Sequence, residues 1–273
     1  MRAFFKSGSV TEITKQVNSY KSETYSLSMT DSDYIYLSFD FPTNHFFVKM
    51  GSVVNTVNSN MSIDYWTGQG WEPVVHKNDY TEALSSSGMV EFTPNRQSSW
   101  NIGSTNSSGS NITGLESITV YDQYWVRISF SADLDPSINL NYIGNVFSSD
   151  EDLFSEFPVF NDSNFLTGFE TGKTTWEEQH VKAADLIIQD LKRKNVIVGK
   201  EQLLDISILA PASVCKVAEI IFNAFGKDYV EQLNRAKAEY ATRIDLSKFL
   251  VDVTNDGIKD LGENTVSQGW LSR

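Results

Sequence analysis

Cysteine is almost missing from this chain: Cys215 is the only one in 273 residues. An internal disulfide framework is therefore excluded, and so is a zinc site built from several thiolates. Histidine is nearly as scarce. His45, His76 and His180 stand far apart, and none belongs to a pairing such as H-x-x-x-H that would hold a metal on one helix face. No stretch approaches ~18 consecutive apolar residues, so no membrane-spanning helix is expected. The opening residues, Met1-Arg2-Ala3-Phe4-Phe5-Lys6, hold no apolar run of signal-peptide length, which predicts a chain made in a cytoplasm. Neither a G-x-S-x-G elbow nor a phosphate-binding glycine loop occurs. Basic residues are also short: 22 Lys and Arg face 35 Asp and Glu, for a net charge of -13. Such a chain is repelled at long range by nucleic acid and by anionic membrane surfaces. Acidity of this kind suits a nucleic-acid context only where DNA must pass without sticking.

Hydrophobic residues make up 40% of the chain, enough for real cores and about two domains at this length. The style of the sequence changes near residue 174. Before it, Ser, Thr, Asn and aromatics dominate and apolar residues alternate one-on, one-off. In residues 34–41, Ile35, Leu37, Phe39 and Phe41 share a face; in residues 61–66, Met61, Ile63 and Tyr65 do. Residues 22–29, 45–50, 89–92, 117–121 and 124–130 read as further strands. Thr67-Gly68-Gln69-Gly70 is a tight turn leading to a strand over 71–75. Residues 97–115 carry no charge and read as one long loop or extended hairpin tip. About eight short strands predict an antiparallel β-sandwich or jelly roll over residues 1–145.

Between Arg127 and Lys173 there is no basic residue, but there are eight acidic ones and a scatter of phenylalanines: Phe147, Phe154, Phe157, Phe160, Phe165 and Phe169. With no clear period, residues 146–173 read as an acidic linker or a docking arm. Such an arm would seat its phenylalanines elsewhere in the chain or on a neighbouring subunit.

After residue 174 the spacing turns helical. Thr175-Trp176-Glu177-Glu178 has the form of a capping box, and Trp176, His180, Ala184, Ile187 and Leu191 then fall on one face. Gly199 is expected to close that segment. Pro211 opens a second helix in which Val214, Val217, Ala218, Ile221, Phe222 and Phe225 form the strongest apolar stripe of the chain, ended by Gly226. A third helix from about Asp228 lines up Tyr229, Leu233, Ala236 and Tyr240. A final strand is expected over 246–253. The fold class is therefore α+β: the sandwich followed by a small helical bundle over 174–273. In Asp252-Val253-Thr254-Asn255-Asp256-Gly257, with Glu263 at the twelfth place, the spacing touches that of a calcium loop. Thr254 and Lys259 sit where that loop wants other residues, so an ordinary Asn-Asp-Gly turn is the better reading. Cys215 and His180 read as core residues. No catalytic, cofactor-binding or metal residues are expected, and the chain reads as a non-enzyme.

Three runs carry a family resemblance: Ile63-Asp64-Tyr65-Trp66-Thr67-Gly68-Gln69-Gly70-Trp71, Leu84-Ser85-Ser86-Ser87-Gly88-Met89-Val90-Glu91-Phe92, and Tyr124-Trp125-Val126-Arg127-Ile128. With Trp100, they look like a β-module of tailed-bacteriophage virion proteins. The helical part, with Trp176 and Gln179 opening its first helix, resembles the head–tail connector (adaptor) family. That resemblance implies a virion protein of the neck, made in the host cytoplasm. It would form a ring, expected to be dodecameric, below the portal and link it to downstream neck and tail proteins, with genomic DNA threading the channel unbound. The large β-module exceeds the compact helical pattern of that family. The alternative is a carbohydrate-binding sandwich of a tail-fibre or lectin-like protein, with Trp66, Trp71 or Trp125 stacking on sugar rings. A baseplate or tail-tube attachment protein is a third option.

Overall fold

A computed structural model describes residues 1–20, 24–106, 112–246 and 250–259 of the chain. They form two units: Met1–Gly144 together with Asp252–Lys259, and Asn145–Val251.

The first unit is a β-sandwich. Its strands are β1 (Arg2–Ser7), β2 (Ser9–Glu12), β3 (Tyr25–Leu27), β4 (Tyr34–Phe39), β5 (His45–Met50) and β6 (Met61–Trp66), followed by β7 (Trp71–Pro73), β8 (His76–Asp79), β9 (Gly88–Thr93), β10 (Gly103–Thr105), β11 (Val120–Phe130) and β12 (Ile138–Gly144); one helical turn, α1 (Thr14–Val17), interrupts them. One sheet runs β2-β1-β4-β11-β6-β7 with β10 added to β11, and the other runs β3-β12-β5-β9-β8. All pairings are antiparallel. Registers follow the alternation in the sequence. Ile128 of β11 lies opposite Ile35 on one side and Ile63 on the other, which makes a row of branched side chains on the inner face. These residues, with Leu37, Met61, Tyr65, Phe46, Val48, Val90 and Leu140, fill the space between the sheets. Gly68, at φ 87°, lets the β6–β7 hairpin close, with Thr67 N–H bonded to the Gly70 carbonyl at 3.0 Å.

The other face of the larger sheet is also covered. Phe4, Tyr36, Trp66 and Trp125 point outward and pack with Ile112, Leu115 and Val120. The uncharged stretch expected as a free loop is therefore part of the structure: it supplies β10, places Trp100 in the main core, and lays Ile112 and Leu115 over the sheet. Strands β1, β2, β8, β10 and β12 were not read as strands from sequence. In β1, apolar side chains on both faces hide the alternation: Ala3 and Phe5 enter one core and Phe4 the other.

The second unit contains α2 (Asp150–Glu156), α3 (Ser163–Phe169), α4 (Glu177–Arg193), α5 (Ala210–Phe225) and α6 (Val230–Leu246). Pro211 sits in the first turn of α5, and Gly226, at φ 71°, ends it. Ala212 through Ala218 are buried without a break, as are Ile221 and Phe222. By length and composition the helical run over Ser207–Ile244 would pass for a membrane span, yet 56% of its most apolar stretch is packed inside the protein, as suits a central core helix. Three expected details differ. Trp176, not Thr175, is the N-cap of α4. That helix ends at Arg193 through Asn195, at φ 55°, with Val196 N–H bonded to the Leu191 carbonyl at 2.9 Å; asparagine is the usual substitute for glycine in this left-handed position. Near the expected final strand, only a bridge between Leu203 and Val251 forms among the described residues.

The stretch over 146–173 folds into helices that sequence periodicity did not show, because each is only seven residues long. Caps supply the missing signal. Ser149 and Asp152 form a reciprocal capping box on α2, and the Asp162 carboxylate caps α3 through the Asn164 N–H. Three acidic residues in the first turn of α2 suit the positive end of the helix dipole. The phenylalanines pack within this unit: Phe160 lies 4.9 Å from Phe222 between ring centroids, and Phe165 lies 4.3 Å from Phe225. Trp176 joins them and donates its indole N–H to the Phe160 carbonyl at 2.9 Å. Phe160 and Trp176 are fully buried, so neither is free to clasp a neighbouring subunit. Truncating Phe160 to Ala removes the ring at the centre of this cluster. Chemical denaturation is expected to show a loss of about 3–5 kcal/mol.

Candidate functional site

The densest buried chemistry lies in the helical unit, where four polar side chains from three segments meet. Ser148 Oγ is 2.7 Å from His180 Nδ1 and 2.7 Å from Ser213 Oγ. His180 Nε2 is 3.2 Å from Asp150 Oδ1. The Asp150 carboxylate also accepts the backbone N–H of Trp176 at 3.1 and 3.2 Å, so a side chain from α2 caps the start of α4. The contacts are all satisfied with the ring proton on Nε2, donated to Asp150, and with Nδ1 accepting from Ser148.

Serine, histidine and aspartate in that order of hydrogen bonds can activate a nucleophile where the serine faces a cleft. Here His180 is 1% exposed, Ser213 0% and Ser148 7%. The hydroxyl of Ser148 is shared between two partners in the interior. The physical consequence is cohesion: leaving any member unpaired costs the desolvation of a buried polar group. Sequence reading placed His180 correctly on an apolar face but missed its partners Asp150 and Ser148, which lie 30 and 32 residues away with no motif to join them.

A second node joins the three long helices. Tyr240 of α6 donates its hydroxyl to Asp190 of α4 at 2.7 Å. Its ring receives the Lys216 ammonium of α5 at 3.7 Å from the centroid, and Lys216 is paired with Glu219 at 2.7 Å. Burial pushes the Tyr240 hydroxyl well above its ordinary range, and the Asp190 carboxylate adds to this. It is thus a fixed donor at any physiological pH.

Cys215, Glu156 and Glu239 bring one ligand atom each within 4.8 Å of one another. A cation already holds them: the Arg243 guanidinium pairs with Glu156 and lies 3.5 Å from Glu239. Burial pushes the Cys215 thiol up to about 12, with the two carboxylates opposing its ionisation further. A protonated thiol is neither a good metal ligand nor a nucleophile.

The remaining sequence candidates fall as follows. Trp66, Trp100 and Trp125 are 2%, 5% and 0% exposed, so they pack in the cores and present no face to a sugar. Trp71 is half-buried; the Arg127 guanidinium lies between its ring and that of Tyr34, at 5.0 and 4.9 Å from the centroids, while pairing with Asp64 at 2.7 Å. His45 is buried and bonded to Asn44 at 2.8 Å, and His76 is exposed on β8. Asp252 is fully buried and accepts the N–H groups of Asp256 at 3.2 Å and Gly257 at 2.8 Å. Its carboxylate serves the turn, in which Asn255 takes a left-handed backbone at φ 58°. Burial raises its pKa against the pull of those bonds. Glu263 lies outside the described residues.

Charge is distributed over both units. Residues 1–144 carry 14 acidic and 8 basic side chains, and residues 145–251 carry 17 and 12. On α2, α3 and their flanks, Glu151, Asp152, Asp162 and Glu170 are exposed. No family model matches this chain, and no curated protein is significantly similar to it.

Two measurements bear on these sites. Asp150→Ala leaves the Trp176 N–H and His180 without their acceptor and is expected to cost about 1–3 kcal/mol in urea denaturation. Asp150→Asn keeps an acceptor oxygen and should cost less. With the Cys215 thiol raised to about 12, disulfide-exchange labelling of the native protein at pH 8 is expected to be negligible and to become rapid only after denaturation.

Proposed function

We propose that this chain is a structural virion protein of a tailed bacteriophage, a head–tail connector that forms a ring below the portal and links capsid to tail. The observation that carries the proposal is the division of one acidic chain into two units with separate hydrophobic cores. Each unit offers its own surface, which suits a part that must hold two different neighbours. The likeness of its sequence runs to β-modules and adaptor helices of phage virion proteins points the same way.

Electrostatics agree with that role. Both units are net negative, and no basic residue occurs between Arg127 and Lys173; Arg243 reaches Glu156 from α6. Acidic walls would repel phosphate groups, so DNA could move through a channel without the counterion-release affinity that a basic wall generates. Closed rings use head-to-tail contacts between different patches of each subunit. In this reading the helical unit supplies the ring wall. The proposal contains no catalytic step.

Size-exclusion chromatography with light scattering, on the full chain alone and mixed with a portal ring, tests it. A ring-sized species, or co-elution with the portal, is the expected result. A chain that stays monomeric at every concentration and ignores the portal would overturn the proposal.

A further inference from the structure

The sandwich has a cleft of about 380 Å³ at one end, near the lower bound for small-molecule sites. It opens between the β5–β6 connection and the β8–β9 connection. This is the end opposite Gly144, where β12 finishes. Half of its lining is Asn, Ser and Thr, with one cation, Lys77, and two anions, Asp79 and Glu82.

Two features show that the cleft is built and held. First, its rim contains three consecutive non-glycine residues in the left-handed region: Glu82, Ala83 and Leu84, at φ 51°, 56° and 67°. L-residues adopt this conformation singly at a cost and rarely in succession, and such strain persists only where the surroundings enforce it. Here Asp79 accepts the N–H groups of Thr81 and Ala83, both at 2.9 Å, and Thr81 Oγ1 accepts that of Leu84 at 3.1 Å. Second, Asn55, 1% exposed, ties the two connections together. It donates to the carbonyls of Ala83 at 3.0 Å and Val57 at 2.9 Å, and it accepts the N–H of Asp135 at 3.1 Å. Asp135 in turn accepts the N–H and hydroxyl of Thr56, each at 2.6 Å. The walls are rigid before any ligand arrives, which lowers the entropic cost of binding.

The groups left facing the cleft define what it would take. The side chains of Asn58, Asn60 and Glu82 are exposed and make no hydrogen bond among the described residues. Amides and hydroxyls both donate and accept, as sugar hydroxyls do. Lys77 turns its ammonium onto the Met61 carbonyl, and the two carboxylates outnumber it, so a phosphate or sulfate gains nothing here. We propose that this cleft binds a neutral polyhydroxylated ligand, the terminal residues of an uncharged saccharide. The site is independent of the buried tryptophans and of the ring assembly proposed above.

Labelled full-length protein on an array of neutral, sialylated and sulfated oligosaccharides tests this. Binding to neutral members is expected, weakened about tenfold or more in the Asn58→Ala/Asn60→Ala double variant, a loss of the size two hydrogen bonds provide. Glu82→Gln should weaken it as well. Tyr121→Ala, which removes an exposed aromatic at the opposite end of the sandwich, should leave binding unchanged. No binding to any neutral glycan, binding confined to the anionic ones, or full binding by the double variant would overturn the assignment. Because ring formation is read separately by light scattering, failure here is distinguishable from failure of the connector proposal.

Discussion

Helix α5 carries apolar side chains around most of its circumference, and the rest of the helical unit is arranged to keep them from water. Helices α4 and α6 cover two sides. The short helices α2 and α3 cover a third, because Phe160 and Phe165 reach Phe222 and Phe225. Without that third side, α5 would present a stripe of large aromatics to solvent, a surface that drives aggregation or misassociation. The polar nodes are arranged about the same helix. Ser213 and Lys216 of α5 each enter a network that ends on α4 or α6, which sets the rotation of the helices as well as their proximity.

The sandwich solves a different problem. A sheet with only one covered face needs polar residues on the other, yet β1, β4, β6 and β11 place Phe4, Tyr36, Trp66 and Trp125 outward. A third layer resolves this. Ile112 and Leu115 pack on those rings, and β10 takes the Trp125 indole N–H at the Gly103 carbonyl, 2.9 Å away. Two of the three tryptophans that suggested sugar stacking, Trp66 and Trp125, are thus structural. The polar cleft lies where connections gather at the strand ends, held by a buried asparagine instead of an aromatic platform.

Sequence reading recovered what repeats and missed what is solitary. Ile35, Leu37, Ile63 and Tyr65 on the inner sheet face follow from two-residue alternation. Ala184, Ile187, Leu191, Val217, Ile221 and Tyr240 follow from helical spacing. Both are periodic signals that survive without a partner in view. What escaped depends on contacts distant in sequence. Ser148, Asp150 and Ser213 have no pattern until the fold brings them to His180. The Thr175 capping box does not form: Trp176 is the N-cap of α4, and its N–H is taken by the Asp150 carboxylate of another helix. Helices α2 and α3 were too short for periodicity and legible only in their caps.

The compositional seam and the cohesive seam of this chain lie about thirty residues apart. Vocabulary changes near 174, but packing changes at Gly144: Asn145–Val251 sides with the helices, and Asp252–Lys259 returns to the sandwich. Recombination that exchanged modules at the visible seam would orphan Phe222 and Phe225 from their covering rings and leave Trp176 without its capping carboxylate. A viable exchange cuts instead at the end of β12 and again after Val251, so the heritable cassette is longer at its front than its lettering suggests.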